Sequence, residues 1–131
     1  MSAHVLDSSA WIECLDRGPN TVHFAPVLRR LPDLLIPAII LTEVRKVVLK
    51  QRSRALADDI TRTMCTGRIL PIDEEIALAA ADSFVEFKLP LANSRIYAAT
   101  RAHKAIVWTQ DEHFRDVPHV RYFPKVIRAD L

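Results

Sequence analysis

The sequence predicts an α/β domain built on a largely parallel sheet, and two observations carry that prediction. Short apolar segments such as His4-Val5-Leu6 and Ala105-Ile106-Val107-Trp108 alternate with longer stretches of helical periodicity, the pattern that crossover helices between parallel strands leave in a chain. The chain is also 131 residues long and 50% hydrophobic, enough for one ordinary domain with a real core. No repeat, low-complexity tract or interdomain linker divides it, so a single domain over residues 1–131 is expected.

Each element has its own local reason. His4-Val5-Leu6 is a first short strand ended by Asp7, and Ser8 and Ser9 are good caps for a helix running to about Leu15, which Gly18-Pro19-Asn20 closes. From Thr21 to Leu31, Val22, Ala25, Val27, Leu28 and Leu31 suit a second helix, with Pro26 near its start or bending it. Leu34-Leu35-Ile36 is a second buried strand. Pro37 leads into a helix with Ile40, Leu41, Val44, Val47 and Val48 on one face and Glu43 about two turns in. Ser53 caps the next helix, Arg54 to Cys65, which Gly67 stops. Ile69-Leu70-Pro71-Ile72 reads as a third strand, and Asp73 caps an alanine-rich helix from Glu74 to Lys88 that Leu89-Pro90 breaks. Ala92 to His103 forms a further helix with Ile96, Ala99 and Ala102 facing inward. Ala105 to Trp108 is the strand that follows it, ended by Thr109-Gln110-Asp111, and a last short strand lies around Val120 to Phe123.

Composition removes most classes of chemistry. The longest apolar run, Leu34 to Leu41, contains Pro37 and is far below the roughly 20 residues of a membrane helix. His4, Asp7 and Glu13 interrupt any secretory leader, so a soluble, cytoplasmic protein is expected. Cys14 and Cys65 are too few and too distant for a zinc site, and both are expected as reduced, helix-borne core thiols. Gly18 and Gly67 are the only glycines and lie far apart, which excludes a P-loop or a dinucleotide-binding glycine turn. HExxH is absent, and His4, His23, His103, His113 and His119 never recur at the spacing that puts two ligands on one helical face. What remains is carboxylates, which select hard cations such as Mg²⁺ or Mn²⁺.

In a parallel sheet the carboxyl ends of the strands share one edge, so residues terminating different strands converge there. Asp7 and Asp111 both end strands, while Glu43 and Asn93 lie on helices able to lean over the same edge. Carboxylates crowded together without a cation repel and raise one another's pKa values, so such a cluster makes sense around a metal. Each residue also has a plainer account. Asp7 suits a helix entry, Glu43 a solvated helix face beside Arg45 and Lys46, Asn93 a helix cap, and Asp111 the cap of a short turn before Phe114. Thr109 and Ser9 are candidate hydrogen-bond donors to a phosphate or to a carboxylate of the cluster, or donors within their turns. His113 reads as a surface residue, and Trp11, Trp108, Phe84 and Phe87 as core or interface aromatics.

Four segments taken together add weight to the cluster. Val5-Leu6-Asp7-Ser8-Ser9-Ala10, Leu41-Thr42-Glu43-Val44, Leu89-Pro90-Leu91-Ala92-Asn93-Ser94-Arg95-Ile96-Tyr97-Ala98-Ala99-Thr100-Arg101 and Trp108-Thr109-Gln110-Asp111-Glu112-His113-Phe114 occur in this order across nearly the whole chain. In order and spacing they resemble the PIN-domain ribonucleases, and more narrowly the VapC-type toxins of bacterial toxin–antitoxin pairs. The resemblance implies a PIN-like three-layer sandwich with a central, mostly parallel sheet flanked by helices. It implies endonucleolytic hydrolysis of RNA with Mg²⁺ or Mn²⁺, and a metal-binding quartet at Asp7, Glu43, position 93 and Asp111. In that quartet Asp7 is the central ligand, position 93 the second, and Glu43 and Asp111 hold metal waters or orient the nucleophile. It further implies a homodimer and a VapB-type antitoxin that blocks the acidic pocket. Family members carry aspartate where this chain has Asn93, while the rest of that segment is intact. The nearly isosteric amide removes one negative charge from the site, so metal affinity and activity are expected to be impaired.

A net charge of +2 is modest, but Arg45, Lys46, Lys50, Arg52 and Arg54 are candidates for a basic rim that draws RNA toward an acidic centre. The alternative function is a non-catalytic PIN-like module that holds RNA or protein on the same edge. A response-regulator receiver is disfavoured, because adjacent N-terminal acids and a lysine after a late strand are missing.

Overall fold

A computed structural model of the chain describes residues 3–127. Its strands are β1 (Ala3–Leu6), β2 (Leu35–Pro37), β3 (Arg68–Leu70), β4 (Ala105–Thr109) and β5 (Val120–Tyr122). Its helices are α1 (Ser8–Leu15), α2 (Thr21–Leu28), α3 (Ala38–Gln51), α4 (Arg54–Met64), α5 (Glu74–Phe87) and α6 (Leu91–Ala102). All three strand ladders are parallel: β4 lies between β1 and β5, and β2 pairs with β3. Since β1 also packs beside β2, the strands run β3-β2-β1-β4-β5 across a central layer flanked by helices.

The caps explain the helix starts. Ser53 accepts from the Leu56 N–H, and Asp73 from the Ile76 N–H, as the sequence predicts. At α1 the cap is Asp7 itself, whose Oδ1 accepts from the Ala10 N–H at 3.0 Å, and not Ser8 or Ser9. Helix α2 ends at Leu28, three residues earlier than periodicity suggests, and keeps Pro26 within it. Lys88, in the left-handed conformation at φ 56°, turns α5 toward α6.

The core is built from Val5, Leu6, Phe24, Leu35, Ile36, Ile40, Val44 and Ile96, and a second cluster joins Leu89, Tyr97, Val107 and Phe114. Several side chains depart from expectation. Cys65 is exposed at the end of α4, and Cys14 is only half-buried, its thiol pushed up to about 11 by burial and then by the Glu13 charge. Ala102 is exposed where the last turn of α6 leaves the sheet. Trp11 is a core residue as expected, whereas Trp108 and Phe87 are half-buried and Phe84 is exposed. The expected basic rim is partly spent on local ion pairs, since Arg45 binds Asp58 at 2.8 Å and Arg52 binds Asp16 at 2.7 Å.

Candidate active site

The ladder between β1 and β4 sets the site. Leu6 is in register with Trp108, so the next residue on each strand, Asp7 and Thr109, face each other at the carboxyl edge of the sheet. The Asp7 N–H donates to the Trp108 carbonyl at 3.2 Å, which carries the pairing one residue past the strand. Along β4, Ala105, Val107 and Thr109 alternate inward and are all buried. A hydroxyl therefore stands at the end of an apolar row, where it meets the Asp7 carboxylate.

Asp7 is itself buried and accepts three hydrogen bonds. Thr109 Oγ1 donates to Oδ2 at 2.5 Å, Ser9 Oγ donates to Oδ1 at 2.7 Å, and the Ala10 N–H completes the set. Burial pushes its pKa up to about 6 against these hydrogen bonds, and the nearby Asp111 charge adds to the rise. Thr109 Oγ1 also accepts from the Asp111 N–H at 2.9 Å, so one hydroxyl links the two carboxylate-bearing segments.

Asp111 is bonded on both oxygens. Asn93 Nδ2 donates to Oδ2 at 3.0 Å; the His113 N–H donates to Oδ1 at 3.0 Å, and the His113 ring Nδ1 lies 2.8 Å from the same atom. Burial alone would raise the Asp111 carboxyl, but the Asn93 and His113 hydrogen bonds and the His113 charge outweigh it and hold it below the usual range. Asn93 is the third residue of α6, inside its first turn, and its side chain reaches across to Asp111 instead of capping the helix.

Glu43 is attached from the other side. It sits on the flank of the buried stripe Ile40-Val44-Val48 of α3, half-buried, and its Oε1 accepts from Ser8 Oγ at 3.0 Å. Burial raises its pKa, the Ser8 hydrogen bond and Lys46 oppose the rise, and the Asp111 charge adds to it. Asp111 thus acts electrostatically on both Asp7 and Glu43, and the four predicted positions, with Thr109 and Ser9, gather at one edge.

Three further residues brace this edge, and the sequence reading missed their role. Glu13 is buried on α1; its Oε2 accepts from the Asn20 N–H at 2.8 Å and its Oε1 lies 3.4 Å from Gln110 Nε2. Asn20 Nδ2 donates to Gln110 Oε1 and to the Pro124 carbonyl, both at 3.0 Å, so Gln110 is held between Thr109 and Asp111. The available signal was Glu13 falling three residues from Ala10, on the buried side of a short helix. A Cβ at Gly18 would overlap the Glu13 carboxylate and dislodge it. Gly18→Ala is therefore expected to cost about 1–3 kcal/mol in urea denaturation, the range for leaving buried polar groups unpaired.

A family model for the PIN domain matches residues 4–120. The chain belongs to the PIN domain family. This PIN domain is similar to the solved toxin–antitoxin complex from Klebsiella pneumoniae, with a TM-score of 0.78 and 22% identity over 95% of this chain and 100% of that one. It is also similar to DNA-bound VapBC from Salmonella typhimurium, at 0.73 and 16% over 95% and 98% of the two chains. The sarcin-ricin loop cleaving toxin VapC20 of Mycobacterium tuberculosis gives 0.73 and 13% over 90% and 97%. At these identities the likeness is one of fold. No curated protein matches the sequence.

PIN domains are usually metal-dependent nucleases, and the donor set of this PIN domain fits a hard cation in kind but not in number. Asp7, Glu43 and Asp111 offer carboxylate oxygens, and a cation would offset the burial, and the smaller Asp111 repulsion, that raise Asp7 and Glu43. Among the described residues, however, no three His, Cys, Asp or Glu side chains form a group that could hold a metal ion. Asn93 stands outside those residue types, and its Nδ2 already engages Asp111 Oδ2.

Proposed function

We propose that this chain is the toxin of a VapBC-type pair, an endoribonuclease that hydrolyses RNA phosphodiesters with Mg²⁺ or Mn²⁺, in a form impaired by Asn93. The observation that carries the reading is the Asp7–Thr109–Asp111–Asn93 hydrogen-bonded chain at the carboxyl edge of the sheet, with Glu43 attached through Ser8. Asp7 would be the central ligand of the cation and the residue at position 93 the second, with Glu43 and Asp111 holding its waters or orienting the nucleophile. When bound, a divalent ion lowers the pKa of a coordinated water and stabilises the leaving oxygen. The protein's own part is positional. Thr109 and Ser9 fix the Asp7 carboxylate, Ser8 fixes Glu43, and the Glu13–Asn20–Gln110 brace holds the Asp111 loop against the sheet.

The structures similar to this chain include VapBC and FitAB complexes, which supports an antitoxin of the VapB type as the physiological partner. Among the described residues no helix is long and apolar enough to cross a membrane. A homodimer belongs to the same proposal. Helix α5 exposes Leu78 and Val85, seven residues apart on one face, with Phe84 beside them. Val85→Asp is expected to shift the protein from dimer to monomer in analytical ultracentrifugation, and an unchanged sedimentation coefficient would rule this face out.

One observation favours a second reading, a non-catalytic PIN module. The Asn93 amide satisfies Asp111 without any cation. Incubation of cellular RNA with the Asn93→Asp protein and Mg²⁺ or Mn²⁺, followed by mapping of the ends, separates the two. Discrete metal-dependent cleavage supports the ribonuclease, and intact RNA at every metal concentration supports the module.

A further inference from the structure

We propose that the cleft beside Asp111 is a base-binding subsite that takes one unpaired nucleotide of single-stranded RNA, adjacent to the phosphate presented to Asp7 and Asp111. The proposal rests on the ribonuclease reading and names the part of the substrate that this edge selects. The cleft has a volume of about 620 Å³, and Ser9, Gln110, Asp111, Arg115, Tyr122 and Lys125 are among the residues that line it. A space of this size lies within the roughly 300–1,000 Å³ of small-ligand sites.

Sheet register ties the cleft to the acidic centre. Thr109 faces Asp7 on one side and pairs with Tyr122 on the other, so Asp7, Thr109 and Tyr122 form a row across three adjacent strands. Two strand spacings put the Tyr122 backbone about 10 Å from that of Asp7. A base attached next to a phosphate at the carboxylates would reach this distance.

The chemistry of Arg115 and Tyr122 suits a base. The Arg115 guanidinium lies over the Tyr122 ring, 5.9 Å from its centroid, so a planar cation and an aromatic ring are already paired at the cleft. Bases stack on such surfaces whatever their identity, because every base has a π-face. Among the described residues neither Arg115 nor Lys125 has a carboxylate at ion-pair distance, in contrast to Arg45 and Arg52. Their charges are available to the flanking phosphates. Glu112, also in the lining, disfavours a bare phosphate beside it and leaves that part of the cleft to the uncharged base. A base inside a duplex has its faces covered by its neighbours, so the subsite selects unpaired RNA.

The test uses the chain as it stands, in EDTA, so that binding is read without cleavage. Fluorescence anisotropy follows a labelled eight-nucleotide single-stranded RNA, a duplex of equal length and a poly-glutamate peptide. The single strand is expected to bind tightest, Tyr122→Ala and Arg115→Gln to weaken it about fivefold or more, and Tyr122→Phe to preserve it. Unchanged affinity in both weakening variants, equal binding of the duplex, or tighter binding of the acidic peptide would overturn the subsite. If Tyr122→Ala does not fold, Arg115→Gln decides alone, because Arg115 is exposed. The two proposals fail separately: RNA bound through Tyr122 but never cut by Asn93→Asp sinks the ribonuclease, and cutting with variant-insensitive binding sinks the subsite.

Discussion

Asn93→Asp is expected to raise metal-dependent RNA cleavage by about a hundredfold or more, since even the outer partners of a metal site are worth about 10- to 100-fold. The variant changes two things at once. It removes the Nδ2 donor that now occupies Asp111 Oδ2 at 3.0 Å, and it sets a fourth carboxylate among three that already interact. Without metal, Asp111 loses a hydrogen bond that holds its carboxyl low and gains a like charge in its place, so the metal-free variant is expected to be less stable than the parent. With metal, the order reverses, because a ligand that binds only the folded state stabilises by mass action. Thermal denaturation should accordingly show a larger Mn²⁺-induced rise in Tm for Asn93→Asp than for the parent chain. Equal thermal response, together with negligible cleavage by both proteins, would refute the impaired-enzyme reading and leave the binding module.

How much of this was legible in the chain depends on the range of the interaction concerned. Strand ends, helix caps at Ser53 and Asp73, and the break at Leu89-Pro90 follow from local rules, and the structure has them within a few residues. Asp7 and Asp111 were legible because each follows an apolar run, and a parallel sheet brings such positions to one edge. Glu43 was ambiguous because its spacing suits both the flank of the buried stripe and solvent; its burial depends on Ser8, 35 residues away in sequence. The Glu13–Asn20–Gln110 brace spans about the first and last fifths of the chain; the spacing of Glu13 from Ala10 hints at a buried side, but nothing local names its partners, a backbone N–H and a distant amide. Asn93 offers the sharpest contrast. Local chemistry makes it a good helix cap, but the helix begins two residues earlier and the amide serves Asp111. The spent charges of Arg45 and Arg52 belong to the same class, since only the packing of α4 and α1 brings Asp58 and Asp16 to them.

Asp7→Asn is expected to stabilise the metal-free protein at neutral pH while abolishing any cleavage restored by Asn93→Asp. The sign follows from linkage. Asp7 has a folded pKa of about 6 against an ordinary 3.8, so between these values the folded state keeps a proton that the unfolded chain has released. Stability from this group is full below about pH 3.8 and is lost as pH rises through 6. The displacement corresponds to about 3 kcal/mol at neutral pH, set chiefly by burial and partly by the Asp111 charge. Asparagine keeps an oxygen for the Ala10 N–H and the Ser9 hydroxyl, so the cap of α1 survives while the buried charge does not. Urea denaturation in EDTA should therefore find Asp7→Asn more stable than the parent at pH 7.5, by a margin that shrinks by about 2 kcal/mol on going to pH 4. A margin independent of pH would mean that Asp7 titrates normally, and the strained acidic centre from which the metal requirement is argued would not exist. On the proposed reading, Asp7 is held at its post against the stability of the protein, and that cost is what a bound cation would offset.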